Sequence, residues 1–183
     1  MYFFLTVAET TLISGIFVLS VYLMTGLTGL FSLGQGAFIA LGAYTAAIAV
    51  RDFGIPPPLA MALATGVGIL SGLVVGIPTL KLRRDYFLLI TFGFGEMVRA
   101  LLLWMAQLTG GAMGIAGIPK AASLPLIATS TLVILIFIAN LKKSNFMRCC
   151  IAIRDDELAA QAMGINVYGH KLKVFILSAA ISA

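Results

Sequence analysis

Charged residues are scarce in this chain, and their scarcity limits its class before any motif is considered. They make up 10% of the 183 residues, whereas apolar residues make up 61%. Soluble domains carry about 25% charged residues, so a mean hydropathy of +1.08 indicates an integral membrane protein. The apolar runs also lack the period of two that a transmembrane barrel strand shows. Because helices are the other way to satisfy the backbone in hydrocarbon, we predict an all-α, polytopic transmembrane bundle.

Residue types that carry catalysis and metal binding are equally sparse. His170 is the only histidine, and it lies among lysines, so neither a metal site nor a Ser-His-Asp set is predicted. There is no Gly-x-x-x-x-Gly-Lys-Ser/Thr loop, so the chain is not expected to hydrolyse ATP by that route. The adjacent Cys149 and Cys150 are expected to be reduced cytosolic thiols at a tolerant position. We therefore predict no enzyme activity and no cofactor.

Apolar windows of about 20 residues predict five full spans. A sixth apolar run begins near 172 and offers about ten residues, half of what a span needs. We therefore expect residues 1–183 to form a single transmembrane domain that is a fragment, cut inside its sixth helix. The predicted full spans are 8–30, 34–50, 59–79, 87–108 and 124–141.

Most basic residues lie in two loops, which follow the third and fifth predicted helices. These loops hold nine of the twelve basic residues, and Arg51 and Lys120 lie on the opposite side. The positive-inside rule places loops 81–86 and 142–171 in the cytoplasm and the amino terminus outside. We interpret the net charge of +5 as a marker of orientation, not of nucleic-acid binding. The nine residues are Lys81, Arg83, Arg84, Lys142, Lys143, Arg148, Arg154, Lys171 and Lys173.

Segment 25–36 joins the first two helices without a charged loop and is rich in glycine. A tight cytoplasmic turn is one interpretation. The other is a helix broken within the membrane, which requires that protein or a water-filled cavity cover the exposed backbone. In that case Gln35 and nearby backbone amides could meet a zwitterion, whose carboxylate the helix amino terminus favours. Both interpretations remain open.

The fourth helix carries Glu96 and Arg99 inside an apolar run, three residues apart and hence on one face. Each alone costs roughly 2.5–3.5 kcal/mol at the bilayer centre, so pairing or a wet environment is expected. This face either lines a solute pathway or holds a structural ion pair, with Arg99 free to snorkel near an interface. The candidate residues for a translocation pathway are Gln35, Thr91, Glu96, Arg99 and Thr109.

Small residues recur at every fourth position of the third helix. This spacing predicts a face on which another helix backbone approaches closely. The alternative is the general glycine enrichment of membrane helices. The residues are Ala60, Ala64, Gly68, Gly72 and Gly76.

The charged loop contains a short predicted surface helix. Acidic residues at its start complement the helix dipole, and a glycine supplies a left-handed stop. Its small-residue face, beside an exposed Met163, suits docking into a groove of another protein; the alternative is a solvated helix with no partner. The residues are Asp155, Asp156 and Glu157 at the start, Ala159, Ala160 and Ala162 on the small face, and Gly164 at the end.

Four sequence motifs, given at the end of this paragraph, occur in the same order as in the permease subunits of branched-chain amino acid ABC importers, which the chain resembles. That family also includes urea and short-amide importers. The last motif contains Ala159-Ala-Gln-Ala-Met-Gly164, which is similar to the family's Glu-Ala-Ala-x-x-x-Gly coupling motif, with Glu157 displaced by one residue. Arg84, Met105, Ala106 and Ile151 depart from the family's pattern. The motifs are 26–45 (GLTGLFSLGQGAFIALGAYT), 82–96 (LRRDYFLLITFGFGE), 109–114 (TGGAMG) and 152–166 (AIRDDELAAQAMGIN).

The resemblance implies a permease of the bacterial inner membrane that passes a hydrophobic amino acid. Its expected partners are membrane lipid, a second permease subunit, two cytoplasmic ATPases that bind ATP, and an external solute-binding protein. The loop from Arg154 to Gly164 would dock on an ATPase, and differential affinity for two states would drive transport. Two alternatives remain open. One is a urea or short-amide importer, and the other is a non-ABC ion-coupled carrier in which Glu96 and Arg99 relay protons.

Overall fold

The computed structural model describes residues 2–82, 84–117 and 124–183, and within these ranges it is helical without any strand. Arg83, Lys120 and the side chain of Arg84 lie outside this description. Five of the described helices, α1–α4 and α6, are long and apolar enough to span a membrane, which confirms the predicted polytopic all-α bundle. The helices are α1 Tyr2–Thr28, α2 Gln35–Phe53, α3 Pro57–Thr79, α4 Arg84–Trp104, α5 Ala106–Thr109, α6 Leu124–Lys142, α7 Asn145–Asp155, α8 Glu157–Ala162 and α9 Val167–Ser182.

Three helix boundaries differ from the sequence-based expectation. α1 begins at Tyr2, not near residue 8. α9 begins at Val167, not near residue 172, because the Asn166 side chain accepts a hydrogen bond from the backbone of its first turn. The predicted helix 87–108 ends at Trp104, and a separate turn, α5, follows it. There the Thr109 hydroxyl donates to the carbonyl oxygens of Leu102, before the break, and of Met105, at the break, which offsets the interrupted backbone bonding.

α7 is an amphipathic helix within the charged loop that the hydropathy windows did not predict. Ser144 caps its amino terminus by accepting a hydrogen bond from Met147 N. Met147, Cys150 and Ile153 are buried at three-residue spacing. Cys150 is fully buried and therefore does not occupy the tolerant position expected from the sequence. Burial, and secondarily the neighbouring Cys149, raise the pKa of the Cys150 thiol to about 11, so it stays protonated near neutral pH.

The small-residue face of α3 lies against α9, which runs through the centre of the described bundle. A Cβ atom built on Gly68 would lie 2.8 Å from the Ala179 carbonyl oxygen, and one on Gly72 would lie 2.9 Å from the Ala179 Cβ. Gly76 faces the Phe175 ring at a similar distance. The backbones approach this closely because these positions of α3 carry no side chain. Ala60 and Ala64 of the same helix are also buried.

The two basic loops meet at one end of the bundle, hereafter the basic end. Arg154 Nη1 of α7 donates to the Gly26 carbonyl oxygen near the end of α1 at 2.9 Å. Lys81, just after α3, lies 5.9 Å from the ring centroid of Tyr168 at the start of α9. Arg51 lies at the opposite end, where it donates to the backbone of α5 at 3.4 Å. α1, α3 and α6 therefore end at the basic end, and α4 and α9 begin there.

The connector between α1 and α2, residues 29–34, combines features of both interpretations left open above. The chain reverses direction there, as a turn does. Its backbone is also covered by protein, as a broken helix requires, because Leu33 N donates to Thr91 Oγ1 of α4 at 3.3 Å. Gln35, the first residue of α2, contacts Ser178 within the body of α9 rather than at the basic end. The buried connector residues are Leu30, Ser32 and Gly34.

Candidate functional site

A cavity of about 350 Å³ lies between α2 and α4, and we call it the α2–α4 groove. On α2 it is lined by Ala37, Ala40 and Tyr44, which share a face because they recur at helical spacing. On α4 it is lined by Glu96 and Arg99. The structure thus brings two of the predicted pathway residues together with Tyr44, which lies outside the predicted set. The spacing of Ala37, Ala40 and Tyr44 is the sequence signal that could have identified this face.

Glu96 and Arg99 are held together by one long contact and stay open to their surroundings. Arg99 Nη1 lies 3.5 Å from Glu96 Oε2, and the two side chains are 72% and 55% exposed, respectively. Glu96 is 12 residues beyond the start of α4, which places it about 18 Å from the basic end along a helix axis. Exposed charges at that depth are too costly to face lipid tails. The groove therefore faces water or another protein segment.

Gln35 does not line this groove but belongs to a buried polar junction of α1, α2 and α9. Its Nε2 donates to Ser178 Oγ at 2.7 Å, and Ser178 Oγ donates to the Ser20 carbonyl oxygen at 2.7 Å. Gln35 Oε1 is buried, and no partner for it occurs among the described residues. Its neighbour Gly36 does line the groove. The junction thus fixes the amino terminus of α2 beside the cavity.

The two threonines predicted as pathway candidates are buried at other positions. Thr91 Oγ1 donates to the Leu88 carbonyl oxygen and accepts from Leu33 N, so it ties the connector to α4. Thr109 lies at the opposite end, where its hydroxyl donates to the Leu102 carbonyl oxygen at 2.6 Å. Neither threonine contributes to the lining of the α2–α4 groove.

α8 has the predicted start and stop signals and one inward-facing alanine. Asp156 Oδ1 accepts hydrogen bonds from Leu158 N and Ala159 N, and Gly164 adopts φ 80 at the end. Ala160 is buried against α7 and the start of α9 rather than presented on a surface. The other two alanines of the predicted face, Ala159 and Ala162, are exposed, as are Leu158 and Met163, which directly follows α8 and is 82% exposed.

An ion pair joins α8 to α9. Lys171 Nζ lies 2.6 Å from Glu157 Oε2, and the Lys171 side chain is only 10% exposed. Fourteen residues separate the partners, so no helical spacing in the sequence identifies the pair, and Lys171 was not among the candidate residues. Arg154 pairs with Asp155 at 3.3 Å while it also donates to α1. The segment from α7 to α8 is therefore fastened to α1 and to α9.

Metal ligands do not cluster in the part of the chain that the structure describes. No group of three or more His, Cys, Asp or Glu side chains that could hold an ion occurs there.

Comparison with known proteins covers almost the whole chain. Residues 3–183 match the family model of the permease component of branched-chain amino acid transport systems. The chain is 33% identical, over 96% of its length, to the high-affinity branched-chain amino acid transport system permease protein LivM of Salmonella typhimurium. It is 32% identical to LivM of Escherichia coli over the same share.

The chain spans about half the length of these curated relatives, namely 49%. No solved structure matches it significantly. The family model, however, covers all but the first two residues. The chain therefore belongs to the family of permease components of branched-chain amino acid transport systems.

Proposed function

We propose that this chain is the membrane-spanning permease part of an ATP-driven importer for branched-chain, hydrophobic amino acids. The observation that carries the proposal is the family match over residues 3–183. In this role the helices form one wall of the translocation pathway, and the α2–α4 groove supplies its polar surface. The chain then needs no catalytic residue and no cofactor, because partner subunits bind ATP and the permease only changes its affinity between two states.

The proposed orientation puts the basic end in the cytoplasm and the amino terminus outside. Its support is the gathering of Lys81, Arg154 and Lys171 at that end, as the positive-inside rule requires. The membrane would be the bacterial inner membrane. The proposed partners are a second permease subunit, two ATPases at the basic end and an external solute-binding protein at the opposite end.

We place the contact with an ATPase on α8. Leu158 and Met163 present exposed apolar side chains there, which suit insertion into a groove of a partner. The Glu157–Lys171 pair would carry movement of α8 to α9, and Arg154 would carry it to α1. Movements that ATP binding and hydrolysis cause in the partners would thereby be transmitted to the helices that position the groove.

Two other functions compete with this proposal. A urea or short-amide importer would use the same architecture with a neutral solute. A non-ABC ion-coupled carrier would use the exposed Glu96 and Arg99 as a proton relay. The charged pair in the groove favours a solute that itself carries charges, and thus favours an amino acid over urea.

A cross-linking experiment tests the coupling surface in the complete importer complex. With Cys149→Ser and Cys150→Ala as background, Met163→Cys is expected to cross-link to an ATPase subunit. Phe53→Cys is the control and should not cross-link, because Phe53 is also highly exposed but lies at the opposite end. A complex that co-purifies with its ATPases but gives no cross-link from Met163→Cys would contradict the assignment of α8.

An uptake assay tests the solute. Proteoliposomes that hold the complete complex and its solute-binding protein are expected to accumulate labelled leucine when ATP is supplied. ATP-driven uptake of urea without leucine uptake would favour the alternative importer. Leucine uptake that persists without the ATPases but requires a proton gradient would favour the ion-coupled carrier.

A further inference from the structure

We propose that Glu96 and Arg99 bind the two charged groups of a zwitterionic amino acid in the α2–α4 groove. Arg99 receives the α-carboxylate and Glu96 the α-ammonium, while the alkyl side chain lies on the apolar wall of the groove. This inference rests on the proposed permease function. It adds to that function the two side chains that recognise the charged groups of the solute.

The first argument is that Glu96 and Arg99 satisfy little of each other's hydrogen-bonding capacity. Arg99 and Glu96 share one contact of 3.5 Å. Arg51 and Asp52, an ion pair at the end of α2, make two hydrogen bonds of 2.6 and 3.0 Å. A guanidinium has five donors and prefers a bidentate carboxylate. Arg99 therefore has donors left over, and Glu96 has acceptor positions left over, and both are turned toward the groove.

The second argument is electrical. An α-amino acid carries its opposite charges on groups attached to a single carbon atom, and Glu96 and Arg99 present opposite charges side by side on one face of α4. A bound zwitterion gives each of the four charges a close partner of opposite sign. The net charge of the groove stays zero with or without solute, so no uncompensated charge is placed at membrane depth.

The third argument is the shape and polarity of the remaining wall. Ala37 and Ala40 on α2, with Val98 and Leu102 on α4, line the groove beside the charged pair. The volume of about 350 Å³ lies at the low end of the range of about 300–1,000 Å³ that is usual for small-ligand sites. Such a wall accepts a branched alkyl group. A neutral solute such as urea offers charges to neither Glu96 nor Arg99.

Equilibrium binding of labelled leucine to the purified, full-length permease–ATPase complex tests the site without the solute-binding protein. Glu96→Gln removes one charge with little change in shape, and Arg99→Gln removes the other while it shortens the side chain. Each is expected to raise the Kd for leucine by about tenfold to a hundredfold, the range for losing a charged hydrogen bond. Asp52→Asn removes a charge from the Arg51 pair outside the groove and should leave the Kd unchanged.

Two analogues identify which charge each side chain reads. 4-Methylpentanoate lacks the ammonium group, so Glu96→Gln should not weaken its binding, whereas Arg99→Gln should. 3-Methylbutylamine lacks the carboxylate and should show the opposite pattern. Each analogue combined with each variant forms a double-mutant cycle in which a change in the ligand replaces one mutation. The cycle separates the contact between one ligand group and one side chain from general effects on folding.

A structural ion pair makes a different prediction. If the two residues form only an ion pair within α4, each single variant should weaken the binding of 4-methylpentanoate and of 3-methylbutylamine alike, and this result would overturn the proposal. Unchanged leucine Kd in both single variants would overturn it as well, while leaving the permease function intact. A wild-type complex that neither binds nor imports leucine would instead overturn the proposed function and the site together.

Discussion

At the scale of single residues, the decisive polar contacts fall into two kinds. Glu96 and Arg99 lie three positions apart on one helix, so their contact follows from helical geometry and was predictable from the sequence. Gln35 and Ser178 are separated by 143 residues, and Glu157 and Lys171 belong to different helices. These contacts depend on how helices pack, which no local pattern records.

The Gln35 junction leads to a prediction about stability. Ser178→Ala removes the acceptor of Gln35 Nε2 and leaves a buried donor unsatisfied. The expected cost in the free energy of unfolding is about 1–3 kcal/mol. It should appear as a lower midpoint of thermal unfolding of the purified complex in detergent.

Ser182→Ala provides the matched control, since it makes the same substitution one turn further along α9. The Ser182 hydroxyl makes only a long bond of 3.5 Å within its own helix. This variant should unfold close to the wild-type midpoint. If Ser178→Ala and Ser182→Ala lower the midpoint of thermal unfolding equally, the role assigned to the junction is contradicted.

At the scale of helices, hydropathy accounted for the spans but not for the short elements. Five apolar runs were sufficient to place α1–α4 and α6, because lipid requires continuous apolar length. α7 was missed because its buried residues number only three and lie among charged neighbours. The three-residue spacing of Met147, Cys150 and Ile153 was the available signal. At the break, the Thr109 hydroxyl bonds the carbonyl oxygens of Leu102 and Met105, a side-chain contact that hydropathy does not measure.

The packing of α3 on α9 can be tested with two glycines of the same helix. In Gly68→Ala the new methyl group would lie 2.8 Å from a backbone oxygen of α9, so the helices must separate. We expect a loss of about 1–3 kcal/mol in stability, as for other overpacked sites. The measurement is thermal unfolding of the complex, with gel filtration to follow its assembly.

Gly66→Ala is the control for that substitution. No atom lies within 4 Å of a Cβ built at Gly66, and alanine favours helix over glycine by about 1 kcal/mol. This variant should therefore be neutral or slightly more stable. If Gly66→Ala lowers the stability as much as Gly68→Ala does, close contact with α9 is not the cause of the lower stability.

At the scale of the whole molecule, the distribution of charge predicts a sidedness that can be measured. Asn145→Cys at the basic end and Phe53→Cys at the opposite end are both exposed, and each can be placed in a background without the native cysteines. A membrane-impermeant maleimide added to intact spheroplasts should label Phe53→Cys and not Asn145→Cys. Inside-out vesicles should show the reverse pattern, and the opposite result in both preparations would invert the proposed topology.

The buried connector has a consequence for biosynthesis. Residues 29–35 are translated before the residues that they bond, since the partner of Leu33 N is Thr91 and the partner of Gln35 is Ser178. The first two helices thus enter the bilayer with polar groups whose acceptors have not yet been translated. The hairpin of α1 and α2 can reach its final form only after α9 has been inserted, so maturation of this hairpin should be governed by a helix that is translated well after it.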